Sequence, residues 1–327
     1  MAERLVAVVG YEAAELLDIA CVTTPLAMAN GIGAPAVPYR VRLVGAGGGP
    51  MVCGTGLTLD SRPLERLVGP LDTLVVSGGV GSGRAAADPL LVAHVRRLAR
   101  ESRRVASVCT GAAVLAAAGL LDGRRATTHW RYARELADRH PEVAVDAAPI
   151  YVRDGNVYTA AGVTSALDLT LAFIEEDHGP ELARQVARDL VVYLQRPGDQ
   201  RQMSLFTAAP APRGGPVGEL VRHIAANPGA DLGTKALAAR AGVTPRHLTR
   251  LFAHQLGQTP GRYVRLARTE AAAHLLASTA LPIAAVAARC GFGSAEALRQ
   301  AFTRRYGVPP SRFRETARRP DGGARRG

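Results

Sequence analysis

Leu237-Ala-Ala-Arg-Ala-Gly-Val243 recurs as Val286-Ala-Ala-Arg-Cys-Gly-Phe292, 49 residues further along the chain. Phe252, Gly257 and Pro260 then recur as Phe302, Gly307 and Pro310 at an offset of 50, so one residue is inserted in the intervening turn. Each copy reads as a short apolar helix, a turn at Gly242 or Gly291, and a second helix opened by Thr244 or Ser294. That is the helix-turn-helix plan, and two such units on one chain point to a protein that reads DNA.

In the first unit Thr244 caps the second helix with its hydroxyl, and Pro245 takes the first helical position, where a missing N–H costs nothing. That helix is expected to expose Arg246, His247, Thr249 and Arg250 and to turn Leu248, Leu251 and Phe252 inward. In the second unit Ser294 caps a helix exposing Glu296, Arg299, Gln300 and Arg304, with Leu298, Ala301 and Phe302 inward. Arginine bonds guanine and glutamine bonds adenine in the major groove, whereas arginine on phosphate sets register alone. The spacing does not separate base readers from phosphate clamps. Between the units, 260–277 reads as one long amphipathic helix with Tyr263, Leu266, Ala273 and Leu276 inward. A rigid connector of this kind lets one chain span two major-groove segments, ~34 Å apart on one face of the duplex.

The charge distribution agrees. From residue 213 onward 19 Lys/Arg stand against 6 Asp/Glu, while the first 212 residues hold 21 and 22. A neutral half joined to a strongly basic one is the footprint of a polyanionic partner. Lys235 is the sole lysine, so arginine carries this surplus.

The 327 residues, 47% of them apolar, suffice for two or three domains with real cores. Cys21, Cys53, Cys109 and Cys290 show no paired spacing, and no Cys/His cluster has metal-ligand form, so neither a disulfide framework nor a metal is expected. The N-terminus lacks the build of a signal peptide, and no uninterrupted apolar run reaches ~18 residues. A cytoplasmic, reduced protein without membrane association is expected.

Up to residue 195, short apolar strands alternate with helical stretches. Strands are expected at Leu5–Val9, Tyr39–Val44, Thr73–Val76, Val105–Val108 and Val157–Ala160, and helices at Leu90–Arg100, Thr110–Ala118 and Ala166–Glu176. The alternation predicts an α/β sandwich on a largely parallel sheet. Residues 196–216, with Pro197, Pro210, Pro212, Gly214 and Gly215, read as a linker. An all-α domain follows over 217–317, and the Gly/Arg-rich 318–327 reads as a basic, disordered tail.

The α/β half is organised around Cys109. In Arg103-Arg-Val-Ala-Ser-Val-Cys109-Thr-Gly-Ala-Ala-Val-Leu115 a cysteine stands where an apolar strand turns sharply into a helix. The helix N-terminus favours a thiolate there, and Gly111 permits close packing. This is the layout of a nucleophile elbow; a buried small cysteine at a tight turn is the plainer reading. A working thiol needs a base and an oxyanion hole. His129 in Thr127-Thr-His-Trp130 is the candidate base, on the next strand or at its end, although core and surface histidines are commoner. Gly78-Gly79, after the Thr73–Val76 strand, either aims backbone N–H groups at the same sheet edge or merely makes a turn. Asp18 is a carboxylate that would approach the elbow from the first strand.

Two resemblances follow. Leu237-Ala-x-x-Ala-Gly-Val-Thr-x-Arg-His-Leu-x-Arg-Leu-Phe252, Gly257-x-Thr-Pro260 and Ile283-x-x-Val-Ala-x-x-Cys-Gly-Phe-Gly293 make residues 217–317 resemble the DNA-binding domain of the AraC/XylS regulators. Val108-Cys-Thr-Gly111, Ala117-x-Gly-Leu-Leu-Asp-Gly-Arg-Arg-Ala-Thr-Thr-His-Trp130, Asn156-Val-Tyr-Thr-x-x-Gly-Val-Thr164, Glu175-Glu-Asp-His-Gly179 and Gln195-Arg-Pro-Gly198 make residues 4–195 similar to the class I glutamine amidotransferase-like (ThiJ/PfpI) superfamily. The nearest likeness is to regulators that fuse the two. The resemblance implies a flavodoxin-like sandwich that senses a small molecule and forms a homodimer without turnover, acting on double-stranded promoter DNA and RNA polymerase, with no cofactor. It implies a small-molecule effector, such as a nitrogenous metabolite, near Cys109, Thr110, Gly78, Gly79, His129 and Asp18. Ser107 replaces the glycine of amidotransferases, Thr110 the histidine of the family's proteases, and Asp18 the usual glutamate. These departures favour a pocket over a catalyst. The alternatives are a cysteine hydrolase or amidase tethered to DNA, and an oxidation sensor at Cys109.

Overall fold

A computed structural model describes residues 3–192, 196, 198, 202, 215–306 and 308–318. Gln195, Pro197, Gly307, the rest of the linker and residues 319–327 lie outside the described residues. The chain divides into two compact units, the first ending at Gln202 and the second starting at Met203.

The first unit runs β1 (Arg4–Val9), α1 (Leu16–Gly33), β2 (Tyr39–Gly45), β3 (Gly49–Val52), β4 (Thr58–Pro63), β5 (Leu71–Val76), α2 (Ser82–Ala87), α3 (Pro89–Arg100), β6 (Ser102–Val108), α4 (Ala112–Ala117), β7 (Arg125–Ala126), α5 (Ala133–Arg139), β8 (Ala144–Val145), β9 (Tyr151–Asp154), β10 (Val157–Ala160), α6 (Val163–His178) and α7 (Pro180–Asp189). Eight strands form one sheet in the order β3-β4-β2-β1-β5-β6-β10-β9, and β7 pairs with β8 apart from it. The centre is parallel, with Val6 opposite Thr73 and Leu74 opposite Val105; antiparallel β3 and β9 close the edges. Val6–Val9, Leu74–Val76 and Val105–Val108 are buried throughout, which parallel strands covered on both faces require. The α/β sandwich expected from the alternation is present. The edge hairpin β3–β4 and strand β9 extend it beyond the expected strands.

Helices α1, α6 and α7 pack together, as do α2, α3 and α4. Among the described residues α1 is the one helix long and apolar enough to cross a bilayer. Buried Asp18 and its packing on α6 and α7 mark it as a core helix. Strand order reverses beside β1, so the carboxyl ends of β1, β5 and β6 lie side by side, where open α/β sheets place their sites.

The segment after α7 returns to this unit. Arg196 grips buried Asp168 through its backbone N–H (2.7 Å) and its guanidinium (2.7 and 2.9 Å). The Gly198 carbonyl accepts from Tyr151 N (3.2 Å). Gln202 donates through Nε2 to the Thr128 carbonyl (2.9 Å), and its Oε1 accepts from Trp130 N (3.0 Å).

The second unit is helical: α8 (Gly215–Ala226), α9 (Thr234–Arg240), α10 (Pro245–Leu256), α11 (Pro260–Ser278), α12 (Ile283–Arg289), α13 (Ala295–Tyr306) and α14 (Pro310–Arg318). Gly242 (φ 66°) and Gly291 (φ 73°) turn through the left-handed region at matching places, which explains glycine in both copies. Thr244 Oγ1 accepts from His247 N and Ser294 Oγ from Ala297 N, as the caps require. Leu248 and Phe252 of α10, and Leu298 and Phe302 of α13, face the two cores.

Candidate functional site

Cys109 directly follows β6 in a left-handed conformation (φ 53°) that costs a non-glycine residue about 1–2 kcal/mol and must be held from outside. Three neighbours hold it. Thr128 Oγ1 donates to the Cys109 carbonyl (2.8 Å). A Cβ on Gly78 would stand 2.5 Å from Cys109 Cβ and 2.5 Å from Asp18 Oδ2. A Cβ on Gly111 would stand 2.4 Å from the Val76 carbonyl, so the elbow closes only with glycine there.

The structure brings Asp18, Gly78, Gly79, Cys109 and Thr110 together. Asp18 arrives from the first turn of α1, not from the first strand. Its Oδ2 accepts from Gly78 N (3.0 Å), while Oδ1 is buried without a partner among the described residues. The Thr110 hydroxyl accepts from Gly79 N and donates to Gly79 O, both at 2.9 Å. Both N–H groups of the Gly78-Gly79 loop are therefore engaged within the protein. The loop is a locked turn and does not offer the free donors that an oxyanion hole needs.

His129 lies just beyond β7, but its partners are its own neighbours: Nδ1 accepts from Arg131 N (3.3 Å), and its ring lies near those of Trp130 and Tyr132. The groups that shift the Cys109 thiol include Asp18, Thr110 and Glu15. Burial, then charge from Arg131, pushes the His129 pKa down.

Electrostatics overturn one expectation. The helix N-terminus was to favour a thiolate, yet Cys109 is 8% exposed. Burial first, and the Asp18 carboxyl second, push its thiol up to about 12, against a weaker opposing pull from Thr110 N–H. Burial likewise raises the Asp18 carboxyl to about 7, against the Gly78 N–H bond. Tyr11 was missed by sequence reasoning. Its hydroxyl donates to the Ser77 carbonyl (2.7 Å), and the Gly10-Tyr11 step at the end of β1 was the available signal.

Beside the elbow opens a cavity of about 200 Å³ lined by Val80, Ser82, Thr110, Thr128, Tyr132 and Glu135, among others. Thr110 is thus the elbow residue that reaches it. No group of three His, Cys, Asp or Glu among the described residues could hold a metal ion.

In the second unit Arg246, Arg250, Ser294, Glu296, Arg299, Gln300 and Arg304 are exposed, while His247 and Thr249 are half-buried. Thr249 Oγ1 donates to its own helix at Pro245 O (2.9 Å). Arg250 Nη2 lies 3.1 Å from His247 Nδ1. Glu296 holds Arg299 at 2.6 and 2.7 Å and accepts from Gln300 (3.0 Å), bonds that lower its carboxyl to about 2.

Residues 237–316 match the helix-turn-helix domain family and residues 14–176 the DJ-1/PfpI family. The HTH-type transcriptional regulator CdhR of Pseudomonas aeruginosa is 34% identical over 294 residues, 89% of this chain and 85% of that protein. The chain belongs to the HTH-type transcriptional regulators that carry a DJ-1/PfpI domain. A solved ThiJ/PfpI family protein from Pseudomonas syringae shares the fold at 22% identity and TM-score 0.52, over 82% of this chain and 91% of that one. The isonitrile hydratase of Pseudomonas putida is 39% identical over 142 residues, 43% of this chain and 60% of that enzyme.

For a regulator of this family the elbow's chemistry is open to direct measurement. Native Cys109 is expected to react with iodoacetamide at pH 7.5 about 10³-fold more slowly than in the urea-unfolded chain, because a thiol near 12 holds that much less thiolate than one at 9.0. The native rate should climb roughly tenfold per pH unit up to pH ~10, where the unfolded chain has levelled off. Peptide mass spectrometry reads both rates, and equal rates would mark an activated thiol.

Proposed function

We propose that this regulator binds a small effector beside the cysteine elbow, and that the effector controls how the helix-turn-helix half engages promoter DNA, without turnover. The observation that carries the non-catalytic part is the Gly78-Gly79 loop, whose N–H groups are both spent on Asp18 and Thr110. The protonated, buried thiol supports it. The effector occupies the 200 Å³ cavity and meets Thr110 directly; Cys109, Asp18, Gly78, Gly79 and His129 are not in its lining, and Thr110 and Thr128 link it to the elbow through their bonds to Gly79 and Cys109. Hydroxyls of Ser82, Thr128 and Tyr132 line it, and Glu135 and Arg139, paired at 3.1 Å, bring both signs of charge, which suits a nitrogen-bearing metabolite such as a zwitterionic amino acid or quaternary amine.

Arg246, His247, Thr249 and Arg250 on α10, with Ser294, Glu296, Arg299, Gln300 and Arg304 on and before α13, face promoter DNA in this reading. The protein works in the cytoplasm with RNA polymerase, as a homodimer. Leu17, Val80 and Trp130, respectively 49%, 80% and 43% exposed and adjoining Asp18, Gly79 and His129, supply apolar surface for a second copy.

A thermal-shift screen of amino acids and quaternary amines tests the effector reading. A specific ligand at 100-fold excess over Kd should stabilise by about 2.7 kcal/mol. Gly83 lines the cavity, and a Cβ there meets no atom within 4 Å, so Gly83→Phe should fill the cavity without strain and abolish the shift. A shift that persists in Gly83→Phe places the ligand elsewhere.

A second reading, a cysteine hydrolase, draws on the likeness to isonitrile hydratase and on the strained elbow. It requires Thr110 to release Gly79 N, and equal labelling rates for native and unfolded Cys109 would favour it.

A further inference from the structure

A groove of about 510 Å³ lies between the two helix-turn-helix units, and the outward faces of α10 and α13 do not account for it. Its walls are the start of α9 at Gly233 and Thr234, the face of α11 bearing Arg265 and Arg268, and the flank of α13 bearing Gln300 and Arg304. Three arginines line it and no carboxylate does.

The three are not equivalent. Arg268 is fixed in place: Nε donates to the Pro228 carbonyl (2.9 Å) and Nη2 to the Ala230 carbonyl (2.8 Å), and its guanidinium lies so close to Gly291 that a Cβ there would stand 2.7 Å away. Arg265 and Arg304 are exposed and make no ion pair among the described residues. Elsewhere on α13 the cations are engaged, Arg299 by Glu296 and Arg305 by Glu270. Gly261 and Gly293 line the same groove with open space where a side chain would stand, so a bulky ligand can approach the backbone. Asp231 bears on Arg268, but Arg265 and Arg304 have no carboxylate partner among the described residues, and cations so placed are stabilised by an anion spanning them.

We propose that this groove seats the DNA sugar-phosphate backbone that runs between the two major-groove segments met by α10 and α13. Arg265 and Arg304 each contact a phosphate, and Arg268 supplies a fixed positive field beneath them. This rests on the DNA-binding reading and sorts its residues: Arg304 becomes a clamp that sets register, and sequence discrimination falls to other side chains of α13. Phosphate contacts carry no sequence information, but they release counter-ions and so steepen the salt dependence of binding.

The test is fluorescence anisotropy of the full-length protein on two labelled duplexes of about 35 bp, one from upstream of its own gene and one scrambled, titrated from roughly 50 to 200 mM salt. Arg265→Ala and Arg304→Ala are each expected to reduce the slope of log K against log salt by about 0.9, and the double variant by about 1.8. Both duplexes should weaken alike, and Arg265→Lys should keep the slope. Slopes equal to the wild type's, or a loss confined to the native duplex, would overturn the groove. A wild type that binds neither duplex overturns the DNA reading with it, whereas a wild type that binds beside variants with unmoved slopes sinks the groove alone.

Discussion

Replacing Arg250 and Arg299 together by alanine is expected to remove sequence-specific promoter binding while leaving the fold intact. Both side chains are exposed, each on the second helix of its unit, so their loss leaves no cavity. They are also oriented before DNA arrives, Arg250 by His247 and Arg299 by both oxygens of Glu296. Preorientation lowers the entropy lost on forming a base contact. Each good arginine–base pair carries about 1–3 kcal/mol of discrimination. The two sit in separate helix-turn-helix units without shared partners, so their effects should add to about 2–6 kcal/mol, or roughly 30-fold to 10⁴-fold in affinity. An electrophoretic mobility shift on the native promoter duplex reads this. Undiminished binding by the double variant would sink the assignment of α10 and α13 as recognition helices.

Phe302→Ala is expected to cost about 3–5 kcal/mol, as large a loss as a single core truncation gives. The ring is fully buried and packs on Tyr306 (4.5 Å) and Phe313 (4.9 Å), two aromatics that lose contact with it at once. Its counterpart Phe252 is as deeply buried against Tyr263 (5.9 Å), so Phe252→Ala should cost a similar amount in the first helix-turn-helix unit. For a domain of about 100 residues each kcal/mol moves Tm by roughly 4–8 °C. Calorimetry should therefore show the helical unit's transition displaced by more than ten degrees on the same scale, with that of the DJ-1/PfpI unit in place. A displacement of a degree or two would mean that Phe302 is not a core residue.

The repeat made the helical half legible because its determinants are local. Thr244, Pro245, Gly242 and their counterparts act within a turn or two of where they stand, and the structure realises each of them. Cys109 was legible as an elbow for the same reason, since strand, cysteine and Gly111 are contiguous. What the elbow can do was not legible. It depends on Gly78 meeting Asp18 across 60 residues and on Thr110 meeting Gly79 across 31, and no local pattern carries such pairings. The thiol's ionisation failed for a related reason: desolvation is a property of the assembled core, while a helix N-terminus can be read from the chain. Arg265 carries no local signal, because its place opposite Arg304 depends on how α11 and α13 pack. The edge hairpin β3–β4 escaped because Gly49–Val52 and Thr58–Pro63 are short and half exposed, with few buried residues to mark them.

The return of Arg196, Gly198 and Gln202 to the first unit has a practical consequence for dividing the protein. Composition changes at residue 195, which looks like the natural place to cut. A truncation there removes the guanidinium and the N–H that Asp168 accepts from, and leaves a carboxylate inside the protein with most of its counter-charge gone. Breaking a buried pair in this way is expected to cost an isolated sensor half about 3–5 kcal/mol of stability for reasons unrelated to its pocket. A cut beyond Gln202 is expected to keep Arg196, Gly198 and Gln202 with the unit to which they bond.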